Sequence, residues 1–274
     1  MDYKSAAIIV TYNPDNAIVD AFITTLVPQV EHVIIVDNSE RSSVSHYDNE
    51  KVNVVRLNDN IGIAAAQNMG LQQAIDAGCD FIFTFDQDSR ISDTYCHDMI
   101  AEYGHYQGSH PIACLGPVIN QPSTNSPLVE KDFIISSGAL FPVDAIKRVG
   151  LFRADWFIDM IDVEWSYRAR TKGLLSYETP RISMQHNIGE NDYPKLFNRE
   201  VRIGSPVRQY YLVRNWIFSL KSDSFNTKYK IYIITLLLKK IPLFMLLAPR
   251  KKRIKFILQG LRDGIAGKGG KYSY

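Results

Sequence analysis

Two carboxylates one residue apart, Asp86 and Asp88, close the run Phe81-Ile82-Phe83-Thr84-Phe85-Asp86-Gln87-Asp88-Ser89. Five apolar or β-branched residues in a row read as a buried strand, and an unpaired charge inside such a strand is very costly. The two acids therefore belong where the strand emerges, at the carboxyl rim that serves as the ligand side of open α/β sheets. Oxygen donors of this kind suit a hard divalent cation, Mg²⁺ or Mn²⁺, whose remaining positions go to water and substrate phosphates. The plainer alternative is a polar turn in which one Asp caps the next helix.

Other chemistry-bearing residues sit at similar strand ends. Val10-Thr11-Tyr12-Asn13-Pro14 and Val36-Asp37-Asn38-Ser39 each finish an apolar run in small polar groups. Asp37 is placed to accept hydrogen bonds from a base imide or a ribose hydroxyl. Singly these are ordinary turn residues; three polar strand ends on one rim point to a nucleotide site. Asn60-Ile61-Gly62 opens a segment of small residues that runs on through Asn68 and Gly70. Asn60 is expected to cap the helix there, with its N-terminal amides facing a phosphate. Asn68, polar and mid-helix, is expected to tie to a neighbouring loop. The segment is neither a G-x-G-x-x-G fingerprint nor a Walker sequence.

A second acidic cluster is Trp156-Phe157-Ile158-Asp159-Met160-Ile161-Asp162-Val163-Glu164-Trp165. Carboxylates three apart share one helix face. Beside aromatic rings such acids have raised pKa values, as a general base requires. Trp165 and Tyr167 are suited to be a sugar platform. Against this stand a helix N-terminus that favours acids and a Glu164–Arg168 salt bridge. His186 follows a strand-like stretch, and its spacing alone reads as a structural or surface histidine.

The elements that position these residues alternate. Ala6–Thr11, Val33–Asp37, Val52–Leu57, Phe81–Phe85 and Ile112–Val118 read as strands. Helices are expected over 16–30, 63–77, 93–106 and 158–172. This order predicts an α/β fold with a doubly wound, mostly parallel sheet. Residues 120–127 read as a loop, 133–141 as a strand, 143–149 as a short helix, and 185–205 as a mobile loop near the site.

The 274 residues suit one large α/β domain or a core with an appendage. Met1–Lys4 is too short and too acidic for a signal peptide. No run of 18 uncharged apolar residues occurs, so no spanning helix is expected. Cys79, Cys96 and Cys114 lack ligand spacing and read as reduced thiols of a cytoplasmic protein. Charge is uneven: residues 1–200 carry 15 Lys/Arg against 27 Asp/Glu, and residues 201–274 carry 16 against 2. The basic part mixes charge with long aliphatic runs and has no recognition motif, which argues against nucleic acid. It reads as a helix pair, 228–255, lying on an anionic membrane; the alternatives are packing on the core domain or a homodimer interface.

Together these motifs resemble glycosyltransferase family 2 on the GT-A fold, over about residues 5–220. Ile9–Asn13 resembles that family's first strand, Asp37–Ser39 its base-binding turn, Asn60–Gly70 its Asn/Gly-rich segment and Asp86–Asp88 its D-x-D motif. Ser137-Gly138-Ala139 resembles its acceptor-side segment, and 208–215 a stretch common in bacterial members. The resemblance implies a Rossmann-like, mostly parallel sheet in a catalytic domain, 1–220, with a donor half to about 118, an acceptor half over 119–220, and a basic helical extension, 221–274. It implies a donor set of Thr11, Tyr12, Asn13, Asp37, Asn38, Asn60, Gly62, Asn68, Asp86 and Gln87, and metal ligands Asp86, Asp88 and His186. Alignment back from Arg168 puts the base at Asp162. The family's preceding Glu is missing, with Asp159 as its stand-in. Ser137, Gly138, Trp156, Asp159, Glu164 and Trp165 fall on the acceptor side.

The chain looks most like bacterial rhamnosyltransferases of O-antigen or capsule assembly. This implies inverting transfer from dTDP-L-rhamnose to a glycan, lipid-linked for choice, by an enzyme peripheral on the inner face of the cell membrane. A UDP-sugar donor (galactosyl or glucosyl transfer) and a nucleotide-sugar hydrolase are the alternatives.

Overall fold

The computed structural model describes residues 3–47, 49–185 and 203–273, together with the backbone of 195–196 and 199–200. In chain order the elements are β1 (Ser5–Thr11), α1 (Asn16–Leu26), β2 (His32–Asp37), β3 (Val52–Arg56), α2 (Ile63–Asp76), β4 (Phe81–Asp86), α3 (Tyr95–Tyr106), β5 (Ile112–Ile119), β6 (Val129–Lys131), β7 (Ala139–Pro142), α4 (Val143–Val149), α5 (Ile161–Thr171), β8 (Leu175–Met184), α6 (Pro206–Lys221), α7 (Thr227–Leu246) and α8 (Arg250–Ala266).

Eight strands form one sheet in the order β3-β2-β1-β4-β7-β5-β8-β6. β3, β2, β1 and β4 run parallel, as do β5 and β8. β7 runs against both β4 and β5. The central strands are apolar on both faces because helices cover both. Ala6, Ile8 and Ile34 pack with α2 on one side, while Ala7, Ile9 and Val33 pack with α1 on the other. Register brings the chemistry into rows: Thr11 lies opposite Asp37, and Val10 opposite Asp86. α2 lies unusually close to β1, for a Cβ on Gly70 would stand 2.5 Å from Ile8 Cγ2.

Two sequence expectations are corrected. Of the strand expected over 133–141, only the part from Ala139 pairs with the sheet, because the chain turns at Gly138 with φ +79°. The helix expected from 158 starts at Ile161, since Phe157, Asp159 and Met160 all hold positive φ. The segment 185–205, expected as a loop, falls largely outside the described residues. All three cysteines are free and buried.

Candidate active site

The rim of β1, β2 and β4 carries a hydrogen-bonded cradle. Asp37 is fully buried. Its Oδ1 accepts from Thr11 Oγ1 at 3.0 Å and from Ser39 Oγ at 2.6 Å. Its Oδ2 is buried with no partner. An orphaned carboxylate oxygen costs about 1–3 kcal/mol, so this atom marks where a ligand N–H or O–H is welcome. Asn38 braces the next loop: its Nδ2 donates to Asn60 Oδ1 at 3.1 Å, and its Oδ1 accepts from Ile61 N at 2.8 Å. Asn60 does not cap α2 as expected. It accepts from Gly62 N at 3.0 Å, and Gly62 itself is the N-cap, with φ +89°. Only glycine fits there, because a Cβ would stand 2.6 Å from the Phe157 ring. Tyr12 N donates to Gln87 Oε1 at 2.8 Å, tying the ends of β1 and β4. Asn13, at φ 45°, donates its amide to Ser39 Oγ at 2.8 Å.

Asp86 ends β4, and its amide donates to Ser137 Oγ at 3.2 Å. Ser137 Oγ in turn meets Ser89 Oγ at 3.1 Å. Gly138 N donates to Thr84 O at 2.7 Å, and Tyr95 OH donates to Gly138 O at 2.6 Å. The Ser136–Gly138 turn is thereby sewn to the end of β4. Asp86 and Asp88 are partly exposed beside it. Among the described residues no three His, Cys, Asp or Glu side chains converge to hold a metal. Two hard carboxylates at a sheet rim still match an ion that keeps most of its shell for water and phosphate. His186, the expected third ligand, lies outside the described residues.

The second acidic cluster reaches the same place. Asp162 opens α5 and hydrogen-bonds the backbone at Ser136 on one side and Val163 N, at 2.8 Å, on the other. Burial pushes its carboxyl up to about 6 from 3.8, and the Asp159 charge adds to the rise, against the pull of its backbone hydrogen bonds. Asp159 is gripped by Arg208, whose Nη2 and Nε donate to Asp159 Oδ1 at 2.8 and 3.1 Å. The Asp86 charge also acts on Arg208, helping to hold its guanidinium firmly protonated. Arg208, from α6, thus pairs with Asp159 and feels the Asp86 charge.

Several expected site residues serve elsewhere. Trp156, expected on the acceptor side, and Trp165, expected there and in a sugar platform with Tyr167, are each 1 % exposed and lie in the core. The Trp165 indole donates to Gly150 O at 2.8 Å, and Trp156 packs on Phe218 and Phe225. Tyr167 is buried against Phe225 and Tyr229. Buried Glu164 pairs with Arg168 at 2.9 Å, the salt bridge already weighed against its acceptor role. Asn68 spends both ends of its amide on Phe152, accepting from its N and donating to its O at 2.9 Å each. That is the loop tie its position suggested, not a donor contact.

Other residues stood outside the expected set. Gln67, buried on α2, donates to Ser136 Oγ at 3.2 Å and leaves Oε1 unpartnered. Asn215 Nδ2 donates to the carbonyls of Trp156, Ile158 and Asp159 at 2.8–3.0 Å, holding the left-handed loop before α5. Apart from the stretch 208–215 itself, no local pattern marks such contacts, whose partners lie 56–69 residues away along the chain.

Comparison with known proteins agrees with this geometry. The family Glycosyl transferase family 2 matches residues 6–132. The "dTDP-rhamnosyl transferase RfbF" of Shigella flexneri is 32% identical over 304 aligned positions, spanning the whole of both chains. Among solved structures, S. aureus TarS 1-349 in complex with UDP-GlcNAc superposes with a TM-score of 0.61 at 15% identity, over 97% of this chain and 84% of that one. GalNAc-T7 with UDP, GalNAc and Mn²⁺ gives 0.57 at 11% identity, over 96% of this chain and 56% of that one. At such identities these neighbours speak to the GT-A fold alone, while the full-length relative speaks to the family. The cradle at Asp37, the acids at Asp86 and Asp88, and the carboxyl of Asp162 therefore stand in a glycosyltransferase: the chain belongs to glycosyl transferase family 2.

Proposed function

We propose that the enzyme transfers L-rhamnose from dTDP-L-rhamnose to a glycan hydroxyl with inversion at the anomeric carbon. The observation that carries this reading is that both acids bond one turn: the Asp86 amide donates to Ser137 Oγ, and the Asp162 carboxyl bonds the backbone at Ser136, while Arg208 holds Asp159 beside them. The sugar and base follow the full-length relative. The orphaned Asp37 Oδ2 fits the imide N–H of thymine, and fits uracil equally.

In this reading Asp162, half-ionised near pH 6 and fully so at neutrality, takes the proton from the acceptor hydroxyl. The freed oxygen attacks the anomeric carbon from the face opposite the diphosphate. The bond from that carbon to the diphosphate oxygen breaks, and dTDP leaves with the electron pair. One base suffices, because no covalent glycosyl-enzyme forms. Mg²⁺ or Mn²⁺ bound by Asp86 and Asp88, with His186 as the proposed third ligand, would offset the charge gathering on the departing diphosphate. Asn38, Asn60 and Gly62 shape the nucleoside wall, and Tyr12 and Gln87 its floor. Ser137 and Gly138 lie on the acceptor side.

A lipid-linked acceptor accounts for the C-terminal helices. α8 packs on α6, so packing on the core is part of their role. An apolar stripe nevertheless faces outward: Ile231 at 60 % and Leu238 at 72 % exposure lie opposite buried Ile233 on α7, and Ile254, Leu258 and Ile265 lie along α8. Lys228, Lys239, Lys251, Lys252 and Lys255 flank these residues. Apolar side chains beside lysines match an anionic bilayer surface, at about 1 kcal/mol per nearby basic residue. No helix among the described residues is long and apolar enough to cross a membrane.

The test is a donor panel, dTDP-rhamnose against UDP-glucose and UDP-galactose, with lipid-linked acceptors and mass spectrometry of products. Rhamnosylated lipid is the expected product. Free sugar from every donor would instead identify a hydrolase, and preferred turnover of a UDP-sugar would replace the rhamnosyl reading. Vesicle flotation of Leu238→Glu/Lys251→Glu/Lys252→Glu tests docking without stripping α6 of its cover; flotation equal to that of the unaltered protein would end that part.

A further inference from the structure

After α8 the chain does not trail away. Gly267, at φ +73°, ends the helix, and the tail turns back onto the site. Gly269 passes so close to the loop before α5 that a Cβ would stand 2.8 Å from Asp155 O. Gly270 N donates to that same Asp155 O at 2.7 Å, and Gly270 O accepts from buried Arg214 at 2.7 Å. Arg214 also donates to Trp156 O at 2.9 Å. Tyr272 N donates to Tyr211 OH at 2.8 Å, while its own hydroxyl donates to Gln259. The Tyr211 ring stacks on Phe157 at 4.7 Å, and Phe157 fills the space beside Gly62. Lys271 Nζ reaches Asp59 Oδ1 at 2.6 Å, some 210 residues back in sequence. Asp59 directly precedes Asn60, which braces Asn38 beside the buried Asp37.

Three anchors, at Asp59, at Tyr211–Phe157 and at Asp155–Trp156, thus connect one short tail to both walls of the cleft. The donor wall is the loop 58–62, whose own bonds are few. The base wall is the loop 154–160, which Asn215 also holds. Loss of the tail leaves Asn215 in place, so the donor wall is the one that loosens.

We propose that the tail, residues 267–273, is a strap that positions the donor loop Asp59–Gly62, with Lys271 as the positioning residue for nucleotide-sugar binding. This rests on the glycosyl-donor reading above for its functional consequence, but not for the mechanical one. The strap acts on affinity for the donor and leaves the chemical step to Asp162.

The test uses full-length variants Lys271→Ala, Lys271→Arg, Asp59→Asn, the Lys271→Ala/Asp59→Asn double and Gly269→Val. Two readouts are taken, amide hydrogen exchange over 57–62 and steady-state kinetics with dTDP-rhamnose. An ion pair this exposed supports a modest effect. Lys271→Ala and Asp59→Asn should each raise donor KM about two- to fivefold, keep kcat within about twofold, and speed exchange over 57–62. The double variant should match the singles, and Lys271→Arg should stay near the unaltered protein. Gly269→Val, which pushes the tail off at a separate anchor, should speed the same exchange. A general loss of folding would instead lower kcat and leave KM alone. Unchanged exchange and unchanged KM in both Lys271→Ala and Gly269→Val overturn the strap. If the unaltered protein turns over no nucleotide sugar, the donor reading has failed, and exchange over 57–62 alone decides whether the strap holds that loop.

Discussion

Asp162→Asn should separate function from stability in opposite directions. In the folded protein burial holds the Asp162 carboxyl near pH 6 rather than 3.8. A raised carboxylate value means that the folded state favours the proton. Its charge therefore costs nothing below the unfolded value and costs most above the folded one. The gap corresponds to about 3 kcal/mol at full ionisation, at 1.36 kcal/mol per decade. An uncharged Asn escapes this cost while still accepting the Val163 amide. The variant should thus gain little at pH 4, about 0.5 kcal/mol, and about 3 kcal/mol above pH 7, the increase falling between pH 4 and 6. Transfer should drop by about 10²–10⁴, the usual worth of a general base. In the unaltered enzyme kcat/KM should fall about tenfold per pH unit below 6. Urea unfolding of both proteins at pH 4.5 and pH 8, with transfer assays alongside, measures all of this. A variant that turns over normally, or whose stability advantage does not grow with pH, refutes the reasoning.

Arg208→Ala should cost about 1–3 kcal/mol in chemical denaturation, because it strands the Asp159 carboxylate, and Arg208→Lys should recover little since one ammonium cannot replace the two-pronged grip. Gly70→Ala should cost about 1–3 kcal/mol by overpacking against Ile8; combined with Ile8→Ala it should cost less than the two losses added, and strict additivity in melting experiments would contradict the contact. Asn68→Ala should cost about 2–4 kcal/mol by orphaning both main-chain groups of Phe152, with Asn68→Asp intermediate. Asp88→Ala should weaken calorimetric dTDP binding in Mn²⁺ while changing little without it; equal affinities would remove Asp88 from the cation site.

Much of the architecture was readable because its parts announce themselves locally. Short apolar runs closing on Thr11, Asp37 and Asp86 mark parallel strands and their rim. The family resemblance, aligned back from Arg168, implies Asp162 as the base. Strand direction is not written in periodicity, so β7's reversal is invisible in the sequence, and the apolar residues of 133–138 read as strand because nothing local marks the turn at Gly138. Residue type does not say which way a ring points, so Trp165 and Tyr167 read as a platform in the sequence though both fill the core. Arg208 and Asn215 act on residues about fifty positions earlier, and only folding brings them there. Asp159, read as a stand-in acid, finds its purpose in Arg208.

The reversed strand β7 has an evolutionary reach. Because it runs against β4, the chain entering it must arrive at the rim where β4 ends. Topology, not side-chain choice, therefore delivers residues 136–138 to the nucleotide side. The connection from Asn120 to Leu128 holds no strand of its own and is tied to β8 by Asn120 N to Met184 O at 2.9 Å and Thr124 N to Pro180 O at 2.7 Å, so the residues between and after these ties can lengthen or shorten without disturbing the ladder. Relatives with different acceptors have a ready place to vary, upstream of a turn whose position the sheet already guarantees.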